Sequence, residues 1–457
     1  MKNFLRAGVL ALCTLVFAGN ARAAGYFVGE HDAVAMGRSL AVTAMLDEPS
    51  TIFFNPAGMA FMKGLRLQLG GVALVPSFNY SDPAGVRPAA EAIKQTIIAP
   101  HIYATYTFDE KGSIGIGFNS PFGLSLKWPV GFSGEASTAG IDMKMPTIYI
   151  GGAYRPIPQL SFGLTLRVIP GTVEMMQRFQ VATDAGAMQY GWAHLAASGI
   201  GVGASFGIMA RPVERLHLGF SYISRIKMGF NNGVVHFGFE DQTAMRDTSV
   251  FHDQTGSTSF MLPDILAAGV GYDIVMMPEH RLFAEFDFNW TMWSVFDKLQ
   301  VNFDNDPSGT LSKPKAKNWK DVPCYRLGFE YRYKDFLAVR MGGGYDVTPA
   351  PNATVGPELP DSSRIFFDVG IGYRYEPLGL RADLSYGFTY FQPRTATTAD
   401  GNPFPSTYKT IVHLVGLTVG LGKSFDDTAQ QDEAEPPMPG PPNEGDQPPP
   451  PAPPPVL

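Results

Sequence analysis

The chain alternates hydrophobic and polar residues with a period of two, segment after segment, almost to its end. Between 380 and 390 every even position is apolar, and the odd positions include Arg381, Asp383 and Ser385. A β-strand places successive side chains on opposite faces, so this segment has one aromatic-rich apolar face and one polar face. The pattern is typical of a transmembrane β-barrel, which has lipid outside and water inside.

Fourteen segments between Leu65 and Phe425 are strand candidates. They lie at 65–79, 99–109, 112–124, 143–155, 159–181, 198–211, 215–230, 258–275, 280–304, 322–334, 336–348, 363–375, 379–392 and 406–425. Short and long connections alternate between them, as periplasmic turns and extracellular loops do in bacterial barrels. The sequence therefore predicts an all-β transmembrane barrel of 14 antiparallel strands over 64–425, with both ends in the periplasm.

One of these segments illustrates the predicted facing. In 363–375 the odd residues from Ile365 to Tyr375 should face lipid, and Arg364, Asp368 and Arg374 should face the lumen. Charged side chains are tolerated in such a strand only on the water-filled side of the wall.

The first residues have the features of a secretory signal peptide over 1–23. Basic residues precede an apolar run, and Ala21-Arg22-Ala23 fits a cleavage site, so the mature chain should begin at Ala24. No other stretch has the length and apolar character of a transmembrane helix, and a membrane protein without such helices has to be a closed barrel.

Residues 24–63 do not alternate. Their helix-like spacing is interrupted by glycine and followed by the turn Asn55-Pro56-Ala57-Gly58. We interpret this block as a small N-terminal helical hatch, or plug. The turn could equally be a plain connection from the hatch to the first strand, and the two interpretations are compatible.

The C-terminal residues 426–457 differ in composition from the rest. They contain 12 prolines, seven acids and no Lys or Arg, so they should form a disordered periplasmic tail. A solvated spacer and a docking arm for a periplasmic partner remain alternatives. The whole chain carries a net charge of −7 and has no basic patch, which argues against nucleic acid as a partner.

Several phrases, taken together, resemble the FadL-type outer-membrane transporters, a family of long-chain fatty acid and aromatic hydrocarbon channels. They occur in the family order at 24–26, 36–38, 47–51, 55–58, 120–124, 262–264, 290–294, 319–321, 345–349 and 359–362. Each phrase is weak alone, but together they span about 24–425. The resemblance implies a fourteen-stranded barrel with an N-terminal hatch, in agreement with the alternation.

The resemblance also implies a route for the ligand. Extracellular loops capture a hydrophobic compound, a lumen pocket binds it, the hatch moves, and a kink in the third strand lets it leave sideways into lipid. Ser120-Pro121-Phe122-Gly123 is the candidate kink, because proline removes a ladder donor and glycine permits a bend. The alternative to a kink at these residues is an ordinary strand end. The resemblance also places the hatch turn at Asn55 near the kink.

Candidate ligand-binding residues come from the hatch and the lumen. Tyr26 and Phe27 match the hatch residues that reach ligand in the family, although they could simply pack against the wall. A fatty acid also needs a cation for its carboxylate. Four arginines expected in the lumen could supply this cation, or they could stabilise the barrel interior by pairing with acidic residues. They are Arg167, Arg178, Arg326 and Arg340.

Loops 182–197 and 231–257 are the predicted capture surface. Met188 and Trp192 are apolar residues in an expected loop, which indicates ligand binding or packing between loops.

The predicted function is passive uptake of hydrophobic compounds, foremost long-chain fatty acids, by an outer-membrane channel. Aromatic or alkane hydrocarbons are the alternative cargo, and a structural or adhesive surface barrel is the alternative function. Metallopeptidase and serine-hydrolase motifs are missing from the sequence, and Lys315 replaces the acid that a calcium loop starting at Asp304 would need. We expect no enzyme activity, no cofactor and no metal. We expect a monomer whose partners are outer-membrane lipid and the barrel-assembly machinery.

Overall fold

The computed structural model describes residues 25–109, 111–183, 187–241, 251–306, 309, 312–334 and 336–423. The predicted signal peptide (1–23) and tail (426–457) lie outside these residues, as do parts of the second capture loop and of the rejected calcium loop. In the described part of the chain, no helix is long and apolar enough to cross a membrane.

Fourteen antiparallel strands form one closed barrel, as predicted. They are β1 Gly64–Ser81, β2 Ile97–Phe108, β3 Gly112–Lys127, β4 Gly140–Ile157, β5 Leu160–Ala182, β6 Met188–Val213, β7 Leu216–Ile223 with Ile226–Phe239, β8 Gln254–Leu262 with Ile265–Met276, β9 His280–Thr291, β10 Val322–Tyr333, β11 Leu337–Asp346, β12 Arg364–Tyr375, β13 Leu380–Ala396 and β14 Ser406–Lys423. Strands β7 and β8 are each briefly interrupted. The sheet closes because β14 pairs with β1 from Leu65↔Lys423 to Ser81↔Thr407.

Shorter elements lie in the hatch and in the connections. The helices are α1 Ala33–Gly37, α2 Thr51–Phe54 and the 3-10 turns Pro56–Phe61, Trp293–Val295, Glu376–Leu378 and Thr398–Asp400. Two-residue or three-residue strands lie at Ala90–Glu91, Lys298–Leu299, Val301–Phe303 and Lys315–Ala316.

The two faces of the wall follow the predicted alternation. In β12 the side chains of Ile365, Ile371 and Tyr373 are about half exposed on the outer face, whereas Asp368 is buried on the inner face. A wide band of exposed apolar side chains on a closed barrel is the surface that lipid covers.

Three of the predicted element boundaries were wrong. Residues 188–197, expected in a loop, belong to β6, and residues 231–239, expected at the start of the second loop, belong to β7. Conversely, β9 ends at Thr291 and not at 304. Strands β5 and β6 continue to form backbone hydrogen bonds with each other beyond the segment in which apolar and polar residues alternate clearly. The hairpin therefore continues where its sequence pattern has weakened.

The hatch contains less helix than its spacing suggested. Helix α1 has only five residues, because Ser39 and Leu40 adopt left-handed backbone angles, with φ of 51° and 61°. The chain at this point lies directly on glycines of the inner wall: a Cβ at Gly342 would be 2.6 Å from the carbonyl carbon of Arg38. The wall therefore makes room for the hatch backbone at the phrase 36–38.

Candidate functional site

A window without backbone pairing interrupts the wall between β2 and β3. The two strands pair from Phe108↔Gly112 only as far as Ile102↔Phe118. Above that level 97–101 pair with β1 alone, while 122–127 pair with β4. A hydrogen bond of 2.8 Å from Ile93 N to Lys127 O closes the window at the extracellular end.

A one-residue bulge in β3 produces this departure. Asn119 pairs with Thr147, but Phe122 pairs with Met145, so β3 contains one extra residue between them. The bulge lies at Ser120 and Pro121, and it reverses the facing of the strand: odd residues are inside before it and Phe122 is inside after it. Gly123, the last residue of the candidate kink, follows immediately.

The start of the hatch covers the window from inside. Phe27 forms an isolated antiparallel bridge with Phe122. Val28 N donates to Pro121 O at 2.8 Å, and Gly123 N donates to Tyr26 O at 3.2 Å. The edge of β3 that β2 leaves unpaired is thus bound by three residues of the hatch.

Tyr26 is enclosed by an inner aromatic cage. The ring centroids of Trp293 and Phe296 lie 4.8 and 5.7 Å from that of Tyr26. The remaining members of the cage are Trp319, Phe122 and Phe260. Of these five rings only Phe122 was named from the sequence, as part of the kink, although Trp293 and Trp319 lie in two of the family phrases.

The middle of the hatch is fastened to the opposite wall by buried carboxylates. The Asp287 carboxylate accepts hydrogen bonds from Val42 N and Thr43 N at 2.9 Å and from Thr43 Oγ1 at 2.7 Å. Glu285 accepts 2.6 Å and 2.5 Å bonds from Arg38 Nη2 and Ala44 N. Charge-assisted bonds of this kind, shielded from water, are among the strongest in proteins.

The hatch turn Asn55-Pro56-Ala57-Gly58 contacts β5, β6 and β7, and its expected position near the kink stays a prediction. Asn55 Nδ2 donates to Thr43 O at 2.8 Å and to Ile208 O at 3.1 Å. A Cβ at Gly163 would be 2.3 Å from the Pro56 carbonyl carbon. The turn therefore holds the hatch to the wall, and the side chain of Asn55 links two parts of the hatch.

Two of the four candidate arginines are neutralised within the protein. Arg178 pairs with Glu135 at 3.6 Å near the extracellular end. Arg340 is buried between Glu330 at 2.5 Å and Asp383 at 2.8 Å. The side chains of Arg178 and Arg340 therefore form internal ion pairs, the alternative to ligand binding that the sequence had left open.

The other two arginines are buried without a carboxylate within salt-bridge distance in the described part of the chain. Arg167 lies beside Tyr149 on the neighbouring strand, and its Nε and Nη2 atoms have no hydrogen-bond partner there. Arg326 Nε is also unpartnered. Arg326 lines an internal cavity of about 40 Å³ together with Phe27, Phe53 and Asn289.

Met188 and Trp192 lie on β6 and are not part of a loop. Met188 is exposed, and Trp192 packs over Gly238 of β7. Both alternate with the inward residues Gln189 and Gly191, so they are on the outer face of the hairpin. In the described ranges no group of three or more His, Cys, Asp or Glu side chains is arranged to hold a metal ion.

A closed barrel with an apolar belt, an internal plug and an aromatic pocket is the architecture of an outer-membrane channel for hydrophobic compounds. The family model described as "Outer membrane protein transport protein (OMPP1/FadL/TodX)" matches residues 14–422. The chain belongs to this family.

Relatives and solved structures agree with this assignment. Outer membrane protein P1 of Haemophilus influenzae is 23% identical, with 85% of this chain and 90% of that protein covered. The long-chain fatty acid transport protein of Escherichia coli (strain K12) is 22% identical, with 88% and 95% covered. Among solved structures, a Pseudomonas aeruginosa FadL homologue superimposes with a TM-score of 0.75 at 17% identity, covering 87% of this chain and 99% of that one.

A second structural neighbour carries a different kind of cargo in its title. The P. putida toluene transporter TodX superimposes with a TM-score of 0.62 at 15% identity, covering 89% of this chain and 99% of that one. At sequence identities of 15% and 17%, these two structural similarities support a shared fold alone.

Proposed function

We propose that this protein takes up long-chain fatty acids by passive diffusion through the lumen and out of the wall at the β2–β3 window. The observation that carries the proposal is that Tyr26, Phe27 and Val28 bind the β3 edge that β2 leaves unpaired. Removal of these three residues would expose both the aromatic cage and the inner side of the window. One movement would therefore connect the pocket with the lipid.

Two buried arginines, Arg167 and Arg326, have guanidinium nitrogens without a hydrogen-bond partner in the described residues, and this supports a carboxylate as part of the cargo. A buried cation without a counter-ion is costly, by several kcal/mol after relaxation. A fatty acid that entered the lumen would offer a carboxylate oxygen to the unpartnered Nε of Arg326, next to Phe27, or to Arg167, near the window. Hydrophobic surface for its chain is available in the inner aromatic cage.

Aromatic hydrocarbons are a second candidate cargo, favoured by the cage itself. Tyr26 is surrounded by five aromatic rings with centroids 4.8 to 6.3 Å away. A monoaromatic compound could take the position of the Tyr26 ring with similar edge-to-face contacts. A neutral hydrocarbon would have no use for Arg167 or Arg326.

Uptake assays with two arginine variants separate these cargoes. Labelled oleate and toluene are offered to cells that lack their own fatty acid channel and express the parent chain, Arg326→Gln or Arg178→Gln. The fatty acid proposal expects oleate uptake by the parent, a several-fold rise in half-saturating oleate for Arg326→Gln, and little change for the ion-paired control Arg178→Gln. Toluene entry without oleate uptake would move the assignment to hydrocarbons.

The lateral route has its own test at the bulge. Deleting Ser120 and changing Pro121→Thr removes the extra residue and the proline, so β3 could pair continuously with β2. Oleate uptake should then be lost, while the barrel still shows the heat-dependent gel mobility of a folded outer-membrane protein. Undiminished uptake through a correctly folded barrel would exclude the window as the exit.

A further inference from the structure

A patch of basic residues lies on the outer face of the wall, beside the extracellular end of the β2–β3 window. We call it the lysine patch: Lys94, Lys127, Lys144 and Lys409, all of which are exposed. Lys127, Lys144 and Lys409 each follow a buried residue of their own strand. Because side chains alternate across a strand, these three ammonium groups point away from the lumen.

The pairing of the strands brings three of these lysines together around the window. Lys94 follows Ile93, whose N–H donates to Lys127 O at 2.8 Å. This is the hydrogen bond that closes the window at its extracellular end. Lys144 on β4 lies opposite Gly123, the residue that follows the bulge of β3. Lys94, Lys127 and Lys144 therefore flank the outer opening of the window.

The fourth lysine continues the patch across the barrel closure. Lys409 lies opposite Asn79, and Asn79 lies opposite Glu91 of the short strand Ala90–Glu91. Glu91 Oε1 is 3.7 Å from Lys94 Nζ, in a pair whose lysine side chain is 80% exposed. Such an exposed pair contributes little, so Lys94 can bind another anion. Lys409 has no salt bridge to any described residue.

The end of the patch on β4 has the same character. Lys144 Nζ lies 3.0 Å from Asp142 Oδ2, and this lysine is also exposed. Glu174, opposite Asp142 on β5, has His194 at 3.9 Å. Lys127 forms no salt bridge within the described ranges. Four lysines thus face two carboxylates inside the patch, which leaves positive charge for an anionic group.

An apolar groove of about 610 Å³ lies on the lipid-facing side of the wall, below the patch. Ile102 and Phe118, the last pair of β2 and β3 before the window, line this groove together with Ile116 and Ile148. Ile102 and Ile116 are more than half exposed. Ile148 and Lys144 are four residues apart on β4, which is about 13 Å along an extended strand.

The patch also lies where the apolar belt ends. On β1 the outward residue Val75 is apolar and 43% exposed, and the next two outward residues are Ser77 and Asn79. In a barrel this change from apolar to polar marks the level of the lipid headgroups. The lysines are therefore at headgroup level, and the groove is at the level of the acyl chains.

We infer that the lysine patch and the groove bind a phosphorylated glycolipid of the outer leaflet, of the lipid A type. Its phosphate groups would accept hydrogen bonds from the ammonium groups, and an acyl chain would lie in the groove. The hatch covers the window from inside, and this lipid would cover it from outside.

The test measures lipid binding by the purified full chain in detergent micelles. Fluorescent diphosphoryl lipid A is titrated into the parent and into the Lys94→Gln/Lys127→Gln/Lys144→Gln variant. EDTA is present, so that metal ions cannot bridge phosphates to carboxylates. The parent should bind saturably, and the triple variant should bind several-fold more weakly.

A second triple variant is the matched control for charge. Lys63→Gln/Lys111→Gln/Lys334→Gln removes the same number of positive charges near the periplasmic turns, far from the window. This variant should bind diphosphoryl lipid A as the parent does. Folding of every variant is checked by heat-dependent gel mobility.

Three results would overturn the inference. The first is equal affinity of the parent and the folded patch variant for diphosphoryl lipid A. The second is equally tight binding of lipid A without its phosphates, because apolar contact would then be sufficient. The third is tighter binding of phosphatidylglycerol, which would assign the site to a phospholipid. No transport is measured, so these results are independent of whether the chain takes up oleate.

A further variant tests the groove. Ala104 lines the groove, and Ala104→Trp would fill it, so the affinity for diphosphoryl lipid A should fall several-fold. Ala268→Trp, at an exposed position on the outer face of β8, is the control and should bind as the parent. Unchanged affinity in folded Ala104→Trp would contradict the position of the acyl chain in the groove.

Discussion

The first residues of the hatch and its middle segment are bound to the barrel by different chemistry. The segment from Arg38 to Ala44 is fixed by Glu285 and Asp287 through five short hydrogen bonds, one of them an ion pair. The segment from Tyr26 to Val28 is bound by two backbone hydrogen bonds and by contacts between rings.

This difference indicates which end can move with a ligand. Buried carboxylates that neutralise an arginine and cap free N–H groups have no substitute in a hydrophobic molecule. Ring contacts, in contrast, can be replaced by contacts to any apolar surface. A hydrophobic ligand should therefore release the first residues of the hatch and leave the anchored segment in place.

The largest effect is expected at the anchored middle segment, Arg38 to Ala44. Glu285→Gln with Asp287→Asn leaves Arg38 as a buried unpaired charge, and breaking such a pair costs about 3–5 kcal/mol. The hatch should loosen as a unit, which lowers the thermal midpoint and makes the barrel leaky to small polar dyes. An unchanged midpoint and no leakage would show that the carboxylates are not the anchor.

An intermediate effect is expected at the first residues of the hatch, Tyr26 to Val28. Tyr26→Ala removes one ring from the cage, where large-to-small changes typically cost about 3–5 kcal/mol locally. The barrel should stay sealed to polar dyes, while the fluorescence of Trp293 and Trp319 shifts to longer wavelength as water reaches them.

Tyr26→Phe is the matched control for this variant. Tyr26 Oη has no hydrogen-bond partner in the described residues, so its loss should leave the fluorescence as in the parent. If the Tyr26→Ala variant leaked dye as much as the carboxylate variant, the proposed difference between the first residues of the hatch and its anchored segment would be wrong.

The smallest effect comes from a pair of added methyl groups. A Cβ at Gly342 would lie 2.6 Å from a backbone atom of the anchored segment, whereas one at Gly123, beside the mobile end, would meet only Met143 O at 3.4 Å. Overpacking costs about 1–3 kcal/mol. Gly342→Ala should lower the thermal midpoint by a few degrees and Gly123→Ala should not, and the reverse order would contradict the assignment of the rigid end.

The sequence was sufficient for the barrel because its signal is periodic. Alternation in segments such as β12 depends on which face meets lipid, and this is a local property of each strand. Residues 188–197 of β6 were missed because strand pairing outside the membrane places no demand on the outward residues. There, the partner strand satisfies the backbone whatever the side chains are.

The candidate site was predictable only in part. Tyr26, Phe122 and Arg326 were named from the sequence, and they lie in or beside the lumen pocket. The sequence left open which arginines are neutralised, since the partner of Arg340 on β13 is far away in the chain. The rings of Trp293 and Trp319 converge on Tyr26 through loop geometry, which has no periodic signature.

The bulge in β3 has an evolutionary consequence. One extra residue near Pro121 changes the phase of the strand, so that everything beyond it presents the opposite face. The bulged strand beside the window thus differs in length from a regular strand by a single codon. Insertion or loss of one codon is a short genetic step by which a barrel of this kind could gain or abandon lateral release.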